Sequence, residues 1–365
     1  MPTELPELPG LVDAHAVAAT AASIAAMQEP DGAIPWTTGQ HVDVWNHVEA
    51  AMALLVGGQV EAAERAYDWC LATQRPDGSW PMRLVAGRVE DHSAESNMCA
   101  YLAVGVWHHW LVRSDEPFVR RSWPAVRAGL DFVVGLQLPF GGIAWSQEHP
   151  AAGGPVADGA LLAGSSSIFQ ALRAGLALSE LMEEPQPEWE LAAGRLGHAL
   201  REHRDLFMDK STFSMDWYYP VLGGAVRGAD ADDLLAARWD DFVVPGLGIR
   251  CVDTNPWVTG AETCELVLAL DAVGDRDRAH ALLADMQHLR TDAGGYWTGY
   301  VWPDDAVWPR EETTYTAAAV VLAVDALSMT TPGSGIFRAT SMPAGFPEIG
   351  LECGCAEATA WEPVG

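Results

Sequence analysis

The chain has 365 residues, 49% of them hydrophobic and 19% charged, which is the balance of a packed globule and excludes a disordered or fibrous chain. Its 21 Lys+Arg against 50 Asp+Glu leave a net charge of -29, so the basic track that DNA or RNA binding needs is absent. Met1 to Gly10 has no basic leader region, and Asp13 and His15 break the Ala-rich stretch that follows; neither a signal peptide nor a membrane anchor is expected, and the expected location is the cytoplasm.

Six cysteines scattered over so long a chain suit reduced, buried thiols better than a disulfide framework. Cys353-Gly-Cys355 has a zinc-like spacing but no Cys/His pair nearby in sequence, so it reads as tail, and neither a metal nor a cofactor is expected.

Apolar residues recur at helical spacing over residues 12–28, 42–56, 60–74, 91–110, 118–137 and 160–183. They do so again over 190–208, 214–226, 231–242, 257–271, 275–289 and 311–328. A motif of Gln, a Pro/Asp/Gly turn and Trp punctuates the series. Its copies are Gln28 to Trp36, Gln74 to Trp80, Gln137 to Trp145 and, more loosely, Gln287 to Trp297. Pro cannot continue a helix and Asp-Gly favours a turn, so each copy ends a helix and lets the Trp pack back on the joint.

Alternate segments differ in kind. Asn46-His47-Val48-Glu49 leads into the apolar run Ala50 to Val56, and Glu311-Glu312-Thr313-Thr314-Tyr315 leads into Ala317 to Val324. Such helices, polar only in their first turn, are expected inside. Their neighbours, such as Val60 to Ala66 and Arg276 to Ala281, carry one apolar stripe and one charged face, as an outer layer should. Six inner and six outer helices predict an all-α (α/α)6 toroid over residues 1–328, followed by an irregular Gly/Pro-rich tail over 329–365. The polar first turns then meet at one end and line a cavity, where the positive ends of the helix dipoles also gather.

The candidate ligand-binding residues follow from that placement. They are Asp43, Trp45, His47 and Glu49; His92 and Glu95; Trp145; Asp216 and Trp217; Asp253, Trp257 and Glu262; Trp297 and Trp302; and Tyr315. Any single one could be a cap or a satisfied buried group, because an unpaired buried carboxylate is costly. Together they favour a polyol, whose apolar faces stack on tryptophan, although a terpene could use the same surfaces.

The hairpin pattern, spanning roughly residues 12–328, resembles the six-hairpin glycosidases, glucoamylase-like members in particular, and also the terpenoid cyclases and prenyltransferases. The Gln-Asp-Gly-Trp copies look like the QW-type repeats of squalene-hopene cyclases. Asp230-Ala-Asp232-Asp233 has the spacing of a class II cyclase acid, but it opens an amphipathic outer helix, where aspartates cap free N–H groups.

Glu311-Glu312-Thr313-Thr314-Tyr315 resembles the segment that carries the catalytic base in glucoamylase-like enzymes, which implies Glu311 or Glu312 in that role. Gly142 to Glu148 resembles the general-acid loop, with Ser146 where the family has its acid; Glu148 is the stand-in, and Asp158 a further possibility. Asp43-Val-Trp45 looks like the sugar-gripping segment of the first inner helix, with its acid before the Trp instead of after it. The expectation is an inverting glycoside hydrolase-like enzyme acting on an oligosaccharide or glycoside. The alternatives are a cyclase or prenyltransferase acting on an isoprenoid, an epimerase or a lyase, and a non-catalytic sugar-binding toroid, which Ser146 keeps open.

Overall fold

The computed structural model describes residues 4–343. The Cys353-Gly-Cys355 segment lies outside the described residues.

In chain order the helices are α1 (Ala14–Met27), α2 (Val44–Val56), α3 (Val60–Thr73), α4 (Ser96–Ala100), α5 (Leu102–Arg113), α6 (Glu116–Val134) and α7 (Leu162–Leu181). They continue with α8 (Pro187–Glu202), α9 (Ser214–Leu222), α10 (Ala229–Ala237), α11 (Trp239–Phe242), α12 (Gly260–Val273), α13 (Arg276–Asp285) and α14 (Thr314–Ser328). Helices α2, α4 with α5, α7, α9, α12 and α14 each pack on the next, and α14 packs back on α2, closing an inner ring. Around them stand α1, α3, α6, α8, α10 and α13. Every residue of α14 up to Leu327 is buried, whereas α3 buries one stripe and exposes the other face. This is the (α/α)6 toroid that the periodicity predicts.

Short strands ride on the ring: β1 (Arg83–Val85), β2 (Arg88–Asp91), β3 (Ala94–Glu95), β4 (Ser146–Gln147), β5 (Val243–Val244), β6 (Gly248–Arg250), β7 (Trp257–Thr259), β8 (Gly299–Val301) and β9 (Ala306–Val307). β1 pairs with β2, β3 with β4, and β5 to β9 form one antiparallel sheet in sequence order. Segments 91–95, 257–259 and 311–313, expected at helix starts, are therefore strand or extended chain. The first turns of α4, α12 and α14 begin only at Ser96, Gly260 and Thr314.

The two ends of the ring are built differently. At one end, connections such as 57–59, 114–115 and 274–275 are short. At the other, residues 28–43, 74–95, 135–161, 203–213, 238–259 and 286–313 lead into the inner helices and hydrogen-bond to one another in a closed circle. Val42 pairs with Leu84, Glu95 with Ser146, and Met208 N–H donates to the Ala160 carbonyl. The backbone N–H of Asp253 then donates to Thr212, that of Gly260 to Thr298, and that of Thr314 to Trp36. All inner-helix N-termini therefore surround one mouth.

The recurring motif joins neighbouring hairpins. The Gln28 side-chain amide donates to the Gly32 carbonyl of its own turn and to Ala62 of the next outer helix. Gln74 does the same to Gly78 and Ala125, and Gln137 to Gly141 and Ala192. Gly78 has φ +88°, and a Cβ there would stand 2.1 Å from the Ala128 carbonyl oxygen, so only glycine fits. Gln287 departs from the pattern by donating to Leu283, but Gly294 packs on Ala19 of α1 and accepts the Thr20 hydroxyl. The last hairpin thereby docks on the first.

Residues 329–343 fold across the far end. Arg338 pairs with Asp271, a carboxylate that Arg276 also holds at 2.7 Å, and Arg227 donates to the Phe337 carbonyl at 3.0 Å.

Candidate active site

Two levels of polar side chains fill the mouth. The upper level comes from the first turns and the segments just before them. Asp43 caps α2 by accepting Asn46 N–H at 2.9 Å, and its second oxygen takes the Asn46 amide at 2.5 Å, with His41 Nε2 at 3.6 Å. Burial raises the Asp43 carboxyl against those hydrogen bonds, and burial also lowers His41 despite the Asp43 charge. The His41 ring stacks on Trp36 at 6.0 Å, and the Trp36 indole donates to Glu311 at 3.3 Å.

Glu95 ends β3 and is 8% exposed. Burial pushes its carboxyl up to about 7, the neighbouring Trp145 indole opposes that shift, and the Asp43 charge adds to it. The Trp145 indole N–H is itself buried beside that carboxylate and meets no other hydrogen-bond partner. Glu262, half-buried in the first turn of α12, stands by the Cys251 thiol, which burial and then the Glu262 charge push up.

The lower level is a floor. Glu49, one turn further into α2, accepts the Trp45 indole at 3.1 Å and the Tyr101 hydroxyl at 3.3 Å. Glu265 accepts the hydroxyls of Tyr218, Tyr219 and Tyr315. Burial raises Glu49 to about 8 and Glu265 to about 7, the charge of Glu265 adding to the shift at Glu49. Trp45 stacks on Tyr101 at 4.8 Å, and beneath these groups a small cavity is closed by Phe337. Ser167 Oγ and Gln170 Nε2 border it without hydrogen-bond partners.

Other sequence candidates lie elsewhere or serve the frame. His47 is clamped between Ile34 N–H at 3.0 Å and the Ala66 carbonyl at 2.8 Å, a structural joint between α2 and α3. Trp217 stacks on Phe242 at 5.2 Å and donates to Leu234. Asp216 accepts Ala163 N–H, joining two hairpins, and Asp253 pairs with Arg238 at 2.7 Å. His92 stacks on His149, Trp302 lies under the Arg250 guanidinium, and the Trp297 backbone bridges to Glu312.

Glu312 accepts the Thr291 hydroxyl at 3.2 Å and fits against Gly295, so it turns away from its neighbour Glu311. Thr313 caps α14, so neither glutamate occupies that helix's first turn. Glu148 is exposed on the loop after β4. Asp230, Asp232 and Asp233 are exposed on α10. Tyr101, Tyr219, Glu265 and Trp36 join this site without a local motif of their own; the first three each stand five residues after the start of an inner helix, α4, α9 and α12. Among the described residues no group of three or more His, Cys, Asp or Glu side chains is placed to hold a metal ion, and no helix is long and apolar enough to cross a membrane.

A ring of hairpins with carboxylates and aromatic groups around one mouth is the architecture of the α/α-toroid glycosidases. A wild-type glycosidase superposes with TM-score 0.67 at 15% identity, over 89% of this chain and 99% of that one. A mannosylglycerate hydrolase from Thermus thermophilus, in complex with glucose, gives 0.62 at 15%, over 86% and 100%. A D-mannose isomerase gives 0.67 at 10%, over 87% and 96%, so the fold alone does not select hydrolysis. No family model matches the chain. The MMP endo-(1,4)-3-O-methyl-alpha-D-mannosidase of Mycolicibacterium hassiacum is 55% identical over 352 residues, 96% of this chain and 97% of that protein. The chain belongs to the family of that mannosidase and is a glycosidase-type enzyme.

Proposed function

We propose that the protein hydrolyses internal 1,4 linkages in a chain of 3-O-methyl-α-D-mannose. The observation that carries this reading is the 55% identity to the mannosidase over nearly the whole of both chains. The mouth suits such a ligand: Trp36 and His41 form a half-exposed aromatic stack beside Glu311, and the Trp145 indole lies beside Glu95.

In this reading Glu95 is the general acid and Glu262 the general base. Burial keeps Glu95 protonated up to about pH 7, the form needed to protonate the leaving glycosidic oxygen. Glu262 belongs to the fifth hairpin and Glu95 to the second, which face each other across a ring of six. Facing carboxylates leave room for a water between base and sugar, the inverting arrangement. Glu262 takes a proton from that water as its oxygen attacks the anomeric carbon, the glycosidic C–O bond breaks, and Glu95 gives its proton to the departing oxygen. The rim carboxylate Glu311, near His41 and Trp36, then orients the sugar, a role distinct from the base function that the family resemblance implies.

The test is incubation with 1,4-linked 3-O-methyl-α-D-mannose oligomers, with products followed by mass spectrometry and proton NMR. Shorter oligomers whose new reducing ends form first as the β anomer are expected. No cleavage overturns the substrate, and an α anomer formed first overturns the inverting pair.

A further inference from the structure

Of the large hydrophobic side chains exposed among the described residues, Val89, Val156, Phe213 and Trp308 all belong to connections at the mouth. Trp308 is 56% exposed, unusual for a side chain of that size. It is also held in place. The Trp257 indole donates to the Trp308 carbonyl at 2.8 Å, and the two rings meet edge to face at 5.1 Å. Trp257 in turn lies across Gly299 of β8, where an added Cβ would fall 2.5 Å from the indole nitrogen, so the sheet leaves a glycine-sized space for it. Trp308 N–H donates to the Gly299 carbonyl at 2.9 Å, fixing the same corner from its other side. A rigid, exposed indole costs little entropy to use as a binding surface.

Its place in the chain matters as much as its rigidity. Trp308 stands three residues before Glu311, and Trp257 five residues before Glu262, so the pair lies on the chain segments that lead to carboxylates of the fifth and sixth hairpins. We propose that the Trp257–Trp308 corner is a distal subsite that holds a sugar unit of the polymer beyond the cleavage point. The inference rests on the glycan-hydrolase reading above and adds how that enzyme selects length and methylation. An enzyme that cuts within a chain must grip units on both sides of the cut. A 3-O-methyl sugar has lost a hydroxyl donor and gained a methyl group, and a bare indole face rewards that exchange because it offers apolar contact without hydrogen-bond partners.

The experiment compares kcat/KM for a short and a long 1,4-linked 3-O-methyl-α-D-mannose oligomer in wild type, Trp308→Ala and Trp308→Phe, with melting temperature as the control. Wild type should prefer the long oligomer. In Trp308→Ala that preference should fall roughly three- to tenfold, and Trp308→Phe should restore most of it. A preference unchanged in Trp308→Ala, or an equal loss on both oligomers, overturns the subsite while leaving the hydrolase reading intact. Wild type inactive on both oligomers overturns the reading and the subsite together.

Discussion

The Tyr219 hydroxyl donates to Glu265 at 2.6 Å, and Tyr218 and Tyr315 donate to the same carboxylate, so one side chain ties α9, α12 and α14 together under the mouth. Replacing Glu265 with Ala strands these hydroxyls in the core. Each unsatisfied buried group costs about 1–3 kcal/mol, so a total loss of about 3–5 kcal/mol is expected in urea unfolding. A loss under about 1 kcal/mol would show that the floor is not held this way.

The floor also predicts how stability depends on pH. Glu49, raised from 4.5 to about 8, and Glu265, raised to about 7, both bind protons more tightly in the folded chain than in the unfolded one. Stability is therefore greatest below the unfolded value and declines as pH rises through the folded values. The melting temperature should drop between about pH 5 and pH 8. Glu49→Gln keeps an acceptor for Trp45 and Tyr101, removes the charge, and should flatten that decline.

Activity should report Glu95 separately. If Glu95 is the acid, kcat/KM falls as pH rises through about 7, and Glu95→Gln lowers turnover on the order of 10²–10⁴-fold while ligand affinity is retained. An unaltered upper limb of the pH profile in that variant would remove Glu95 from the role.

Glu311 and Glu312 should separate cleanly. Glu311, bonded to Trp36, is expected to raise KM roughly tenfold when changed to Gln, with a smaller change in kcat. Glu312→Gln loosens the Thr291 contact and should cost only about 1 kcal/mol of stability. A kcat loss of several hundred-fold or more in E311Q would return the base to Glu311.

The hairpin joint gives a pair of stability predictions. Gly78→Ala drives a Cβ into the Ala128 carbonyl and should cost more than about 3 kcal/mol or prevent folding. Gln74→Ala leaves the Gly78 and Ala125 carbonyls short of a donor and should cost about 1–3 kcal/mol, with catalysis preserved. Thermal unfolding of purified variants checks both.

The sequence by itself determined the helical ring. Inner and outer helices differ in how many sides they bury, and that difference is written directly in periodicity, as α14 and α3 illustrate. It also located Asp43, Glu95 and Glu262 at or just before the starts of inner helices. Only the tertiary structure decided what each of them does. Whether His47 faces a ligand or the Ala66 carbonyl, and whether Glu265 is core or floor, depends on partners 19 to 50 residues away, which no local pattern records. Glu311 and Glu312 are adjacent in sequence and alike in chemistry. The extended chain before Thr313 sends one to Trp36 and the other to Thr291, because successive residues of extended chain point to opposite sides.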